Sequence, residues 1–204
     1  MSYEVYQTEG IILGYKDVGE ADRILSVFSE NFGKIKILAK GTRLLKSKLR
    51  YHLDLFGWSR FTFISAKETW RLVDAEQIYF WGSVAFCGNK MNICGKIADL
   101  IQRMIRGEEF DGRLWGLIKN SFLFIDEKKD IRNLKDFETV FTLNFLFKLG
   151  YVSFDCGFLK PEEKETLIFL ANGNEWSENI LGEVRANELA MKRIIKNAFE
   201  ASQL

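Results

Sequence analysis

Apolar and polar positions alternate with a period of two along the first eighty residues. TEGIILGYK (Thr8–Lys16) sets Ile11, Leu13 and Tyr15 against Ile12 and Gly14, and DRILSVFS (Asp22–Ser29) and KIKILAK (Lys34–Lys40) continue the strand period. ENFG, ending in Gly33, suits a tight hairpin between the second and third strands, while KDVGEA is a short loop between the first two. After Gly41 the period lengthens: Leu45, Leu49, His52 and Leu53 recur at i, i+4, i+7 and i+8, which predicts an amphipathic helix. FGWSRFTFI (Phe56–Ile64) and TWRLVDAEQI (Thr69–Ile78) return to aromatic and β-branched strand texture. Glycines inside strand runs, at 10, 14 and 57, predict bulges or sharp coiling. The order β-β-β-α-β-β is that of a five-stranded Greek-key barrel of the OB type.

Beyond about Tyr79 the period becomes helical. Met91, Cys94, Ile97, Ala98, Ile101, Met104 and Ile105 share a face, and Gly107 offers a stop. A second helix is predicted from Gly112 to Ile125. A third, NLKDFETVFTLNFLFKLG, is apolar nearly all round in its second half and so belongs at the centre of a helical domain. Pro161, the only proline, opens PEEKETLIFLA with acids in the first turn, and ANELAMKRIIKNAFEA supplies a last amphipathic helix. The expected organisation is α+β with two domains: an OB-type barrel over residues 1–79 and an all-α domain over 80–204.

Composition narrows the function. With 47% apolar and 28% charged residues in 204, the chain reads as globular, and no apolar run approaches the ~20 residues of a membrane span. MSYEVYQTEG has neither the basic nor the apolar part of a secretion signal, so a cytoplasmic location is expected. Three cysteines, Cys87, Cys94 and Cys156, form no metal-like cluster and read as small hydrophobes in a reducing compartment. His52, the single histidine, lies on the apolar side of its predicted helix and reads as a satisfied, half-buried side chain. No Gly-rich phosphate loop is present, and the acidic groups at 162–165 and 126–127 look like solvated helix ends, so neither catalysis nor a cofactor is expected.

Charge supplies the positive signal. The net charge is only +1, yet residues 33–53 hold Lys34, Lys36, Lys40, Arg43, Lys46, Lys48 and Arg50 without one Asp or Glu. Strand alternation sends Ile35, Ile37 and Ala39 into a barrel and Lys34, Lys36 and Lys40 outward. In the helix expected next, Arg43, Lys46 and Arg50 fall at i, i+3 and i+7, opposite Leu45, Leu49 and Leu53. Together they form a cationic stripe suited to a phosphate backbone. Tyr51 and Trp58 are the candidate platforms for base stacking.

QTEGIILGYKDVGEADRILSVFSENFGKIKILAKGTRLLKSKLRYHLDLF closely resembles the N-terminal domain of the RecO family of bacterial recombination mediators. TEGIIL, GEADRIL, the hairpin ending in GKI, and AKG-x-R-x-x-KS-x-LR carry the match over about residues 7–78, with LGY at Leu149–Tyr151 a further landmark. The resemblance implies an OB domain fused to a helical one in a nucleoid-associated protein of DNA repair and recombination. It implies binding of single- and double-stranded DNA, annealing of complementary strands, action with RecR, contact with the acidic-apolar C-terminal tail of single-stranded-DNA-binding protein (SSB), and, indirectly, loading of RecA. It places DNA contacts on Lys40, Arg43, Lys46, Lys48 and Arg50, and on Arg23 in GEADRIL. Many members carry two C-x-x-C pairs after the LGY landmark. Here SFDCG offers Ser153 and one thiol, Cys156, too few for a closed zinc site, so no metal is expected.

A protein adaptor with an acidic partner, or an OB-type RNA binder, is the alternative. For the helical domain, Arg103 and Arg106, or Lys192, Arg193 and Lys196, could rim a groove for an acidic-apolar peptide. A solvated helix face has the same pattern.

Overall fold

The computed structural model describes residues 4–66, 69–85, 87–127, 134–155, 157, 159–173, 176, 181 and 187–202. Five strands, β1 (Val5–Val18), β2 (Asp22–Ser29), β3 (Gly33–Ala39), β4 (Trp58–Ala66) and β5 (Thr69–Tyr79), form a closed barrel in the order β1-β2-β3-β5-β4. β3 and β5 run parallel, and every other pair is antiparallel. This is the OB-type barrel expected from the strand order.

Closure depends on β1. Its first half pairs with β4 from Val5 to Ile11, its second half pairs with β2 from Gly10 to Val18, and the register slips between Ile12 and Gly14. The slip at Gly14 is the predicted bulge, and it lets one strand serve both edges of the sheet. The expectation at residue 57 fails: Gly57 lies before β4, in a turn closed by its N–H donating to the Asp54 carbonyl at 2.9 Å.

The interior is filled by Leu25, Val27, Ile35, Ile37, Ala39, Phe61 and Phe63, all at 1% exposure or less. Tyr6, Phe32 and Trp70 pack on Phe63 with ring centroids between 5.0 and 6.1 Å.

The helix predicted after Gly41 does not form. Residues 40–47 make successive turns, and only Leu49–His52 completes a single 3-10 turn. Leu45 is 87% exposed, whereas Leu53 alone of the expected stripe is buried in the core. A helix here would stack Arg43, Lys46 and Arg50 on one side with no acid between them, and like charges at such spacings oppose helix formation. Three leucines do not offset that repulsion, and a short helix is marginal without a broad apolar face.

The first compact unit comprises residues 1–82 together with 94–115. It therefore includes the second half of α2 (Gly88–Met104) and the segment that follows it. The Trp70 indole N–H lies 3.0 and 3.1 Å from the two Glu108 carboxylate oxygens. At the β2–β3 hairpin, Gly33 has φ +62°, and a Cβ there would lie 2.2 Å from the Glu109 carbonyl oxygen. Only glycine meets both demands.

The second unit comprises residues 83–93 and 116–204. It holds a helical turn, α1 (Gly82–Ala85), most of α3 (Gly112–Glu127), then α4 (Leu134–Lys148), α5 (Pro161–Asn172) and α6 (Glu188–Ser202). α4 is the centre, as its all-round apolar pattern predicts: Phe137, Phe141 and Phe145 are buried and stack at four-residue intervals, with centroids 6.5 and 5.7 Å apart. α5 starts at Pro161, where the Glu163 carboxylate accepts the Lys160 N–H at 2.9 Å. No described helix is long and apolar enough to cross a membrane.

Gly33→Ala should lower unfolding stability by at least about 2 kcal/mol in urea denaturation, combining a left-handed backbone penalty with the Glu109 overlap. Gly19→Ala, at φ +57° but facing open space, should cost only about 1 kcal/mol, so the difference measures the close approach.

Candidate nucleic-acid interface

The register of β2 on β3 distributes the predicted cations. Ser26 faces Lys36, Phe28 faces Lys34, Leu25 faces Ile37 and Arg23 faces Ala39. Directly paired residues share a face of the sheet, so Lys34 and Lys36 lie on the outer wall while Arg23 has the inward parity of Leu25 and Ala39. Arg23 escapes burial because it sits at the open end of the hairpin, where its guanidinium reaches Asp17 and the Tyr15 ring. Lys40 continues the outward alternation just past β3 and is exposed.

Arg23 and Arg43 converge on one acid that the basic stretch lacks. Arg23 Nε donates to Asp17 Oδ1 at 2.9 Å, and its guanidinium lies 3.7 Å from the Tyr15 ring centroid. Arg43 Nε stands 3.4 Å from Asp17 Oδ2, and its Nη1 donates to the Gly19 carbonyl at 2.9 Å. The backbone is fixed with them: Gly41 N–H donates to Asp22 Oδ1 at 2.8 Å and Arg43 N–H to the Ala21 carbonyl at 3.0 Å. Such half-exposed ion pairs contribute only ~0–1 kcal/mol each. Their effect is positional, because they fasten the start of the cationic turns to the β1–β2 loop. The 33–53 charge run carries no sign of Asp17, which lies near the end of β1, outside that run.

Lys34 is committed to the fold rather than to the solvent-facing stripe expected for it. Its Nζ donates to the Gln102 carbonyl at 2.7 Å, one of the last carbonyls of α2, where a lysine side chain can take the place of a helical donor. Partial burial, reinforced by the neighbouring charges of Lys36 and Arg106, holds this ammonium below the usual lysine range.

The remaining candidates point to solvent. Lys36, Lys40, Lys46, Lys48 and Arg50 are exposed, and among the described residues none pairs with a carboxylate. Arg50 instead lies 5.0 Å from the ring centroid of Tyr51, which is 64% exposed. The outer wall, the turns after β3 and the single 3-10 turn at Leu49–His52, not an α-helix, present these charges.

Trp58 is not an open stacking platform. It is half-buried, stacked on Trp81 at 6.4 Å and edge-on to Trp115 at 6.5 Å, while its indole N–H donates to Glu9 Oε2 at 3.2 Å. A barrel with so few residues uses its largest rings as packing. His52 is half-buried and satisfied: its Nδ1 accepts the Gln77 N–H at 3.4 Å.

In the helical unit, Lys192 pairs with Glu188 and Lys196 lies 3.8 Å from Glu200, both along α6 itself. Those lysines form a self-neutralised helix face. Cys156 falls outside the described residues; among the described ones no three His, Cys, Asp or Glu side chains could hold a metal ion.

Comparison with known proteins follows the same division. Residues 1–80 match the family described as Recombination protein O N terminal. The chain is 30% identical over 145 residues to the DNA repair protein RecO of Acetivibrio thermocellus, covering 71% of this chain and 57% of that protein. It is 34% identical over 93 residues to the protein of the same name from Synechocystis sp., covering 46% and 32%. With that from Thermodesulfovibrio yellowstonii it shares 25% identity over 170 residues, covering 80% and 66%. The chain thus matches less than two thirds of the length of each of these relatives.

Lys34→Ala should cost about 1–2 kcal/mol of stability in urea unfolding by stripping a charged donor from a helix-terminal carbonyl. Lys36→Ala, on the same strand but exposed and with no carboxylate partner among the described residues, should stay within about 0.5 kcal/mol of the parent.

Proposed function

The chain belongs to the RecO family, and on that premise we propose that it is a DNA-binding recombination mediator acting in DNA repair. It holds single- and double-stranded DNA on residues 1–79 and anneals complementary strands. The observation that carries this is the set of five exposed cations without a carboxylate partner among the described residues: Lys36, Lys40, Lys46, Lys48 and Arg50. Arg23 and Arg43 stand at the edge of the set, half-neutralised by Asp17.

Annealing requires no bond to be made or broken by the protein. Two strands repel through their phosphates, and cations that occupy the phosphates lower that repulsion while leaving base edges free to pair. The barrel suits the task because it holds Lys36 on its wall and anchors the start of the turns that carry the other four cations, while its core takes no part. Tyr51 adds a ring on which a base can stack, a sequence-tolerant contact. RecR and the acidic-apolar C-terminal tail of SSB are the protein partners in this reading, with RecA loading on SSB-coated DNA as the downstream result.

A labelled single-stranded oligonucleotide tests it. Five phosphate contacts give a slope of log K against log salt of roughly −3.5, since each contributes about −0.7 on single strands. Charge reversal at Lys46 and Arg50 together should flatten that slope by roughly 1.4 and abolish annealing, with the far-ultraviolet circular dichroism unchanged. Arg43 is avoided because its reversal would set two carboxylates side by side at Asp17. A slope near zero, or unchanged annealing by the folded double variant, would refute the assignment; tighter binding of transfer RNA than of DNA would favour an RNA-binding role.

A further inference from the structure

The cationic turns carry an apolar side chain that electrostatics does not explain. Gly41–Leu44 is closed by the Leu44 N–H donating to the Gly41 carbonyl at 3.2 Å, and Leu44–Ser47 by the Ser47 N–H donating to the Leu44 carbonyl at 2.9 Å. Leu45 and Lys46 are thus the two corners of the second turn. Corners are ordinarily filled by Gly, Pro, Asn, Asp or Ser, each for a backbone reason. Leucine has no such reason, and here it is 87% exposed, with Leu44 beside it at 43%. The charges flanking it in sequence are all positive: Arg43, Lys46, Lys48 and Arg50. An apolar group flanked in sequence by cations complements a polyanion that carries its own apolar faces.

We infer that Leu45 makes apolar contact with the unpaired bases of a single strand whose phosphates are held by Lys46, Lys48 and Arg50. The inference rests on the DNA-binding role proposed above and deepens it. Phosphate contacts by themselves report charge and do not separate a single strand from a duplex. Bases in a single strand can be splayed and their faces covered, whereas in a duplex they are stacked on one another. Leu45 therefore supplies a preference for the unpaired strand.

The test compares the parent chain with Leu45→Ser and Leu45→Phe by titrating a 2-aminopurine-labelled single strand and a fluorescein-labelled duplex. Leu45→Ser should weaken single-strand binding about tenfold, the scale of burying one leucine side chain, and shrink the 2-aminopurine response. Its salt slope and duplex affinity should stay as in the parent, and Leu45→Phe should restore or exceed parental single-strand binding. Undiminished single-strand affinity in Leu45→Ser overturns the inference while leaving DNA binding intact. Equal loss on both substrates also overturns it, by assigning Leu45 to the turn itself. Parental protein that binds neither substrate overturns the DNA-binding role instead.

Discussion

Closure of the sheet between β1 and β4 leaves each β3 side chain only two destinations, the packed interior or the outer wall. Ile35, Ile37 and Ala39 fill the interior without exposure, and a one-residue slip would drive Lys34 and Lys36 into it. Burying unpaired ammonium groups there costs far more than the domain's whole stability can offset. The pairing of Leu25 with Ile37 and of Val27 with Ile35 therefore fixes where the lysines stand. The charged surface is a by-product of the apolar one.

Beyond that strand, side chains that look alike in the sequence have different surroundings. Lys34 and Lys36 are two residues apart on one face, yet one closes a helix end and the other is exposed, with no carboxylate partner among the described residues. Arg23 and Arg43, twenty positions apart, share a single carboxylate. No local pattern encodes either fact, because both arise from segments brought together by the barrel: the end of α2 in one case and the end of β1 in the other. Strand alternation, by contrast, is a local rule enforced by a buried face, which is why the barrel and its outward lysines were legible from residues alone. The same holds for α4, whose unbroken apolar surface could only be central, and for α5, whose proline and following acids mark a helix start.

The segment after Gly41 shows where periodicity misleads. Leucines at 45, 49 and 53 match a helix template, but the template is blind to the cost of the residues between them. Five cations lie within residues 40–50, and at helical spacing they would face one another. Trp58 shows the complementary limit: an aromatic residue in a small barrel is as useful for packing as for recognition, and only its neighbours, Trp81, Trp115 and Glu9, decide between the two.

The fit of Glu109 against Gly33, and of Glu108 against Trp70, has a consequence for synthesis of the chain. Both acids leave the ribosome about thirty residues after β5 is complete, a delay of a few seconds at typical elongation rates. During that interval the nascent barrel has all its strands but lacks the strap that covers its hairpin and accepts the indole N–H. Final locking of the first unit must therefore wait until translation has moved well into the helical region.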